Sequence, residues 1–126
     1  MNLSQNYAQN EVSGLTQAEL ESRALIRTAS SLNQIKENWE ERKGELDEAL
    51  EKNRKLWAII ASAMNEDDCP QPPEVRKNVL SLAMFVFQRT VDTIANPDPQ
   101  KLSVLISINM NIAKGLAGDG ADMSDK

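Results

Sequence analysis

Leu46-Asp47-Glu48-Ala49-Leu50-Glu51-Lys52-Asn53-Arg54-Lys55-Leu56-Trp57-Ala58-Ile59-Ile60-Ala61-Ser62-Ala63-Met64 carries a stripe at Leu46, Leu50, Asn53, Trp57, Ile60 and Met64, stepping alternately by four and three. An α-helix turns once every 3.6 residues, so those positions share one face. Leu56, Ile59 and Ala63 widen the stripe. On the opposite side, Glu48 precedes Lys52 and Glu51 precedes Lys55 at i,i+4, the arrangement of a solvated helix surface. A stripe this broad must be covered by other helices.

Upstream, Thr16-Gln17-Ala18-Glu19 reads as a capping box, because hydroxyl and carboxylate can satisfy each other's backbone donors. Leu25, Thr28, Leu32, Ile35 and Trp39 follow on one helical face. This stripe keeps phase with the next one through Gly44, so one long helix over 17–65 is formally allowed. A compact chain must fold back to bury both stripes, which places a break near Lys43-Gly44. Residues 1–15 are polar apart from Leu3, Tyr7, Val12 and Leu15, and read as a flexible arm.

Downstream, Asn65-Glu66-Asp67-Asp68-Cys69-Pro70-Gln71-Pro72-Pro73 is a loop, since its prolines cannot continue a helix. Pro73 suits the first turn of the next helix, and Glu74 complements its positive end. That helix, over 74–95, bears two stripes on nearly opposite faces: Val75, Val79, Leu82 and Val86, and Leu80, Met84, Phe87, Val91 and Ile94. Either it lies centrally or one side is left for a partner. Asn96-Pro97-Asp98-Pro99 makes the next turn. A last helix carries Leu102, Leu105, Asn109, Ile112 and Leu116, with Gly115 or Gly118 as its stop. The segment 118–126 reads as a disordered tail. The expectation is an all-α, compact antiparallel bundle of about four helices over 16–117.

Composition narrows the function. The chain has 126 residues, 40% of them hydrophobic, no histidine, one cysteine and a net charge of −5. One domain with one core fits that length. The acidic balance opposes bulk binding to nucleic acid, which depends on displacing counterions from phosphates. Cys69 has no second cysteine to pair with, as suits a reducing compartment. Neither a signal peptide nor a run of ~20 apolar residues is present, so the expectation is a cytoplasmic protein without membrane insertion.

No reactive constellation stands out. Without histidine there is no Ser-His or Cys-His pair, and neither a glycine-rich phosphate loop nor a metal-ligand cluster is present. The acidic spacing Asp119, Asp122, Asp125 does not match a calcium loop. No enzyme activity, metal or cofactor is expected. The basic clusters Lys52-Arg54-Lys55 and Arg76-Lys77 read as helix surface unless folding joins them. Asn53 and Asn109 fall where apolar residues belong; since a buried unpaired amide costs about 1–3 kcal/mol, each needs a partner, and bonding to each other would set helix register.

Four blocks, in order over residues 7–117, resemble the FlaF family of flagellar proteins. They are Tyr7-Ala8; Asn53-Arg54-Lys55-Leu56-Trp57; Ser81-Leu82 with Phe85-Val86 and Arg89; and Leu105-Ile106-Ser107-Ile108-Asn109 with Ile112 and Gly115-Leu116. The chain departs from the family pattern at Leu15–Glu19, in the Pro-Gln-Pro-Pro loop, and at Ser107 and Met110. The resemblance implies a cytoplasmic factor for flagellin synthesis and secretion, with flagellin as partner and the regulator FlbT as a second candidate partner. In the reading that follows from it, a flagellin terminal segment docks as an amphipathic helix on Leu80, Met84, Phe87, Val91 and Ile94. The alternatives are a post-transcriptional regulator acting on messenger RNA or through FlbT, and a bundle that dimerises through its exposed stripe.

Overall fold

The computed structural model describes residues 15–118. Tyr7 and the rest of the expected arm up to residue 14, and the expected tail from Asp119 onward, lie outside the described residues. Four long helices make the fold: α1, Gln17–Glu37; α2, Leu46–Met64; α3, Pro73–Ala95; and α4, Leu102–Leu116.

Helix α1 starts at the capping box. The Glu19 N–H donates to Thr16 Oγ1 at 3.0 Å, and the Thr16 N–H donates to Glu19 Oε1 at 2.9 Å. The helix stops at Glu37, before the expected Lys43-Gly44 break. Asn38 leaves helical geometry at φ −122, ψ 50, and its Nδ2 donates to the Gln34 carbonyl at 3.0 Å. The Asn38 backbone N–H bonds the same carbonyl at 3.0 Å, so the asparagine side chain adds a second donor to Gln34 where the helix ends. A one-turn helix, Trp39–Arg42, and a 3-10 turn, Lys43–Glu45, then carry the chain round. Trp39 still packs against the core from this connection, which is why the apolar phase ran unbroken through it.

The helices run antiparallel, as the paired positions show. Ser22 of α1 bonds to Ala113 of α4, while Leu25 and Thr28, further along α1, bond back to Asn109. Helices α2 and α3 form a hairpin across the proline loop. Its closure rests on Arg76, whose Nε donates to the Met64 carbonyl at 2.8 Å and whose NH2 nitrogen donates to the Glu66 carbonyl at 2.9 Å. The Met64 carbonyl closes α2 and the Glu66 carbonyl lies in the loop just beyond it, where the negative end of the helix dipole favours a cation.

Helix α3 buries Val79, Ala83, Val86, Thr90 and Thr93. Small residues there let the backbone approach closely. Both threonine hydroxyls turn back on their own helix, to Val86 O and Arg89 O, each at 2.7 Å, so they demand nothing of their neighbours. At the far end Lys101 Nζ donates to the Asn96 carbonyl at 2.8 Å and lies 3.0 Å from Asp92. Helix α4 ends at Leu116; Gly118 adopts φ 91 after it, while Gly115 remains inside the helix. Among the described residues no helix is long and apolar enough to cross a membrane.

Candidate functional site

Two features concentrate the residues singled out by sequence: a polar junction inside the bundle and an apolar stripe outside it. The junction joins three helices. Asn53 and Trp57 of α2 and Asn109 of α4 are all fully buried. The Trp57 Nε1–H donates to Asn109 Oδ1 at 2.9 Å. Asn109 Nδ2 donates to Asn53 Oδ1 at 2.7 Å and to Thr28 Oγ1 at 2.8 Å, with the Leu25 carbonyl further off at 3.4 Å. Thr28 in turn donates to Leu25 O at 3.0 Å.

The orientation of every amide in this chain of bonds is forced. An indole N–H can only donate, so Asn109 must turn its oxygen toward Trp57 and its nitrogen toward Asn53. Asn53 must then present its oxygen to Asn109. Its own Nδ2 is left buried with no hydrogen-bond partner among the described residues. Such a junction discriminates strongly among helix alignments, because sliding α2 or α4 by one turn would strand several buried polar groups. Asn53, Trp57 and Asn109 therefore act on the register of the bundle.

The remaining motif residues frame this junction. Leu105 is fully buried; Leu56, Leu82, Ile106, Ile112 and Leu116 are half-buried against the core. Arg89 lies over the Phe85 ring, 5.4 Å from its centroid.

The stripe on α3 divides in two. Leu80 and Phe87 are half-buried and pack against the core. Val91, Met84 and Ile94 are exposed by 67%, 58% and 43%, which leaves a row of free apolar side chains. The row opens at one end into a surface groove of about 440 Å³, lined by Met64, Pro73, Arg76, Lys77, Leu80 and Met84. On the first stripe of α3, Val79 and Val86 are buried, whereas Val75 is exposed.

The basic residues do not gather. Arg76 is committed to the end of α2, Arg54 pairs with Glu51, and Lys52 lies 3.8 Å from Glu48. The expected Glu51–Lys55 pair is replaced by this Glu51–Arg54 contact, which also holds the Glu51 carboxyl below its ordinary range. Arg54 and Met64 are ten residues apart on α2, about 15 Å along the axis, which keeps the two clusters separate.

Sequence reasoning missed Thr28 as a junction member and Arg76 as a helix cap. A threonine inside an apolar stripe was the available signal for the first. Nothing in local spacing announced the second, since its acceptors lie across the proline loop. Glu21 was missed as well: burial pushes its carboxyl above the ordinary range, and Gln17 Nε2, donating to it at 3.1 Å, partly offsets this.

Comparison of the chain with curated proteins and with solved structures returns no match in either. The family model described as flagellar protein FlaF matches residues 3–116, a span that contains the polar junction and the whole of α3. The chain belongs to the FlaF family of flagellar proteins.

Proposed function

We propose that this chain is a cytoplasmic flagellin-binding protein that serves flagellin synthesis and secretion during flagellum assembly. It acts as an export chaperone, by binding and without catalysis, and holds a flagellin terminal segment as an amphipathic helix along α3. The observation that carries this reading is the row of exposed Met84, Val91 and Ile94 beside the groove at Leu80, in a chain of a flagellar family. Amphipathic helices dock by laying apolar residues into such a surface, and methionine adapts to irregular partners.

Calorimetry of the protein against flagellin from its own organism, at two salt concentrations, tests the reading. Saturable one-to-one binding that changes little with salt is expected, because apolar burial rather than charge provides the affinity. Val91→Asp weakens it at least tenfold while leaving the helical circular dichroism unchanged, since Val91 lies outside the core. Absence of binding, or binding indifferent to Val91→Asp, overturns the site and turns attention to FlbT and the flagellin transcript.

A further inference from the structure

We propose that the connection between α1 and α2 is a hinge, and that on straightening it lets two copies of this chain exchange their α1 helices. The connections of the bundle differ in kind. Pro70, Pro72 and Pro73 fix the turn before α3, and Pro97 and Pro99 fix the turn before α4. Asn38-Trp39-Glu40-Glu41-Arg42-Lys43-Gly44-Glu45 holds no proline, and none of its residues has a positive φ. Its departure from helix is concentrated at Asn38, where ψ is 50, and a rotation of about 90° restores the helical angle. Arg42, at φ −117 and ψ 0, and Glu45, at φ −91 and ψ −2, need smaller turns. A Cβ added at Gly44 would meet nothing within 4 Å, so packing does not require the glycine.

Exposed contacts hold the bend. Asn38 gives the Gln34 carbonyl two donors, Arg42 donates to the Gln34 side chain at 3.2 Å, and Arg42 lies 3.7 Å from Glu45. Such solvent-exposed pairs contribute little to stability. Helical bonding restarts at Glu41 and Arg42, which both donate to the Asn38 carbonyl, so the bend interrupts the i→i−4 ladder that a straight helix would complete.

The fold itself names the partner. Straightened over 17–64, the chain carries the buried faces of α1 and α2 in one phase, from Leu25 through Trp39 to Met64, on a helix of about 72 Å. Because α1 and α2 are antiparallel neighbours, two such helices laid antiparallel set α1 of each copy against α2 and α4 of the other. The groove that α1 vacates already fits α1, and its contacts are re-made between chains: Thr28 with Asn53 and Asn109, and Ser22 with the Ala113 carbonyl. Continuing the register that pairs Thr28 with Asn53 places Trp39 of one copy beside Arg42 of the other, an indole face offered to a guanidinium. Glu40 and Glu41 fall on the outer side of the straight helix, away from this seam. The exchange is isologous and closes at two copies. Each half keeps its own α3, so the proposal stands apart from flagellin binding.

Sedimentation of the full chain over a hundredfold concentration range, after equilibration in mild urea to let the hinge open, tests it. The mass is expected to rise from one chain of 14.0 kDa toward two. Asn38→Ala combined with Gly44→Ala favours the straight helix and should tighten pairing at least tenfold. Inserting Gly-Gly between Lys43 and Gly44 throws the two faces out of phase in a straight helix, whereas the exposed bend absorbs it. That insertion should hold the protein at one chain with unchanged circular dichroism. Ser22→Cys with Ala113→Cys, on a Cys69→Ser background, reads the exchange itself by non-reducing electrophoresis. The two cysteines should link within a chain in the one-chain fraction and between chains in the two-chain fraction. A one-chain mass at every concentration, pairing indifferent to the insertion, or a two-chain fraction without links between chains overturns the proposal.

Discussion

Asn53 and Asn109 are both fully buried and bonded to each other, yet replacing each with leucine should have very different consequences. Asn109 serves three groups: it accepts from Trp57 and donates to Asn53 and Thr28. Asn109→Leu strands the indole N–H and leaves Asn53 Oδ1 with only the longer contact to the Thr28 hydroxyl, at 3.3 Å. At about 1–3 kcal/mol for each stranded group, the loss is about 3–5 kcal/mol. Asn53 contributes one strong acceptor and carries an amide nitrogen that is already unpartnered. Asn53→Leu removes about 1 kcal/mol of hydrogen bond but also relieves that stranded donor, while Asn109 keeps Thr28. Fitting a leucine into the amide's space costs about 1–3 kcal/mol, offset by its apolar burial. The net change lies within about 1.5 kcal/mol of zero. Urea unfolding followed by circular dichroism at fixed m-value separates the two. At roughly 3–5 °C per kcal/mol for a domain of this size, the melting temperatures of the variants should differ by about 5 °C or more. Equal destabilisation would refute the reasoning, by showing that Asn53 Nδ2 is satisfied in solution.

Other outcomes follow from single contacts. Trp57→Phe keeps the buried ring but removes the donor to Asn109, and should cost about 1–2 kcal/mol in the same urea assay. Thr16→Ala opens the capping box and should lower stability by about 1 kcal/mol, without changing the folded spectrum. Arg76→Ala frees the carbonyls of Met64 and Glu66; it should cost about 1–2 kcal/mol and speed amide exchange at the end of α2, with Arg76→Lys restoring part of the loss. The raised pKa of Glu21 means that the folded state holds a proton more readily than the unfolded chain. Its ionised carboxylate therefore opposes folding at neutral pH, and the penalty fades as pH falls through the raised value into the ordinary glutamate range. Glu21→Gln should raise the melting temperature at pH 7, and the gain should vanish in acid.

Much of the bundle was legible because helices are local objects. The capping box at Thr16, the proline at the start of α3 and the three-four stripes of α2 and α4 depend on residues within a turn or two of each other, so spacing alone reveals them. The exposed row of α3 was legible as a second stripe, but not its division, with Leu80 and Phe87 turned to the core and Met84, Val91 and Ile94 left free. The break after α1 was misplaced for a related reason. Trp39 resumes the apolar phase after Asn38 has ended the helix, and a periodicity cannot register a turn that preserves its phase.

What the amino-acid order by itself determined is the set of helices, their buried faces and the presence of two asparagines that require partners. What only the tertiary structure decided is which groups meet: Trp57 with Asn109, Asn109 with Asn53 and Thr28, and Arg76 with the end of α2. The physical reason is range. Backbone propensity and amphipathic pattern act over a turn or two, whereas a hydrogen bond between residues more than fifty positions apart exists only after packing has removed water from both.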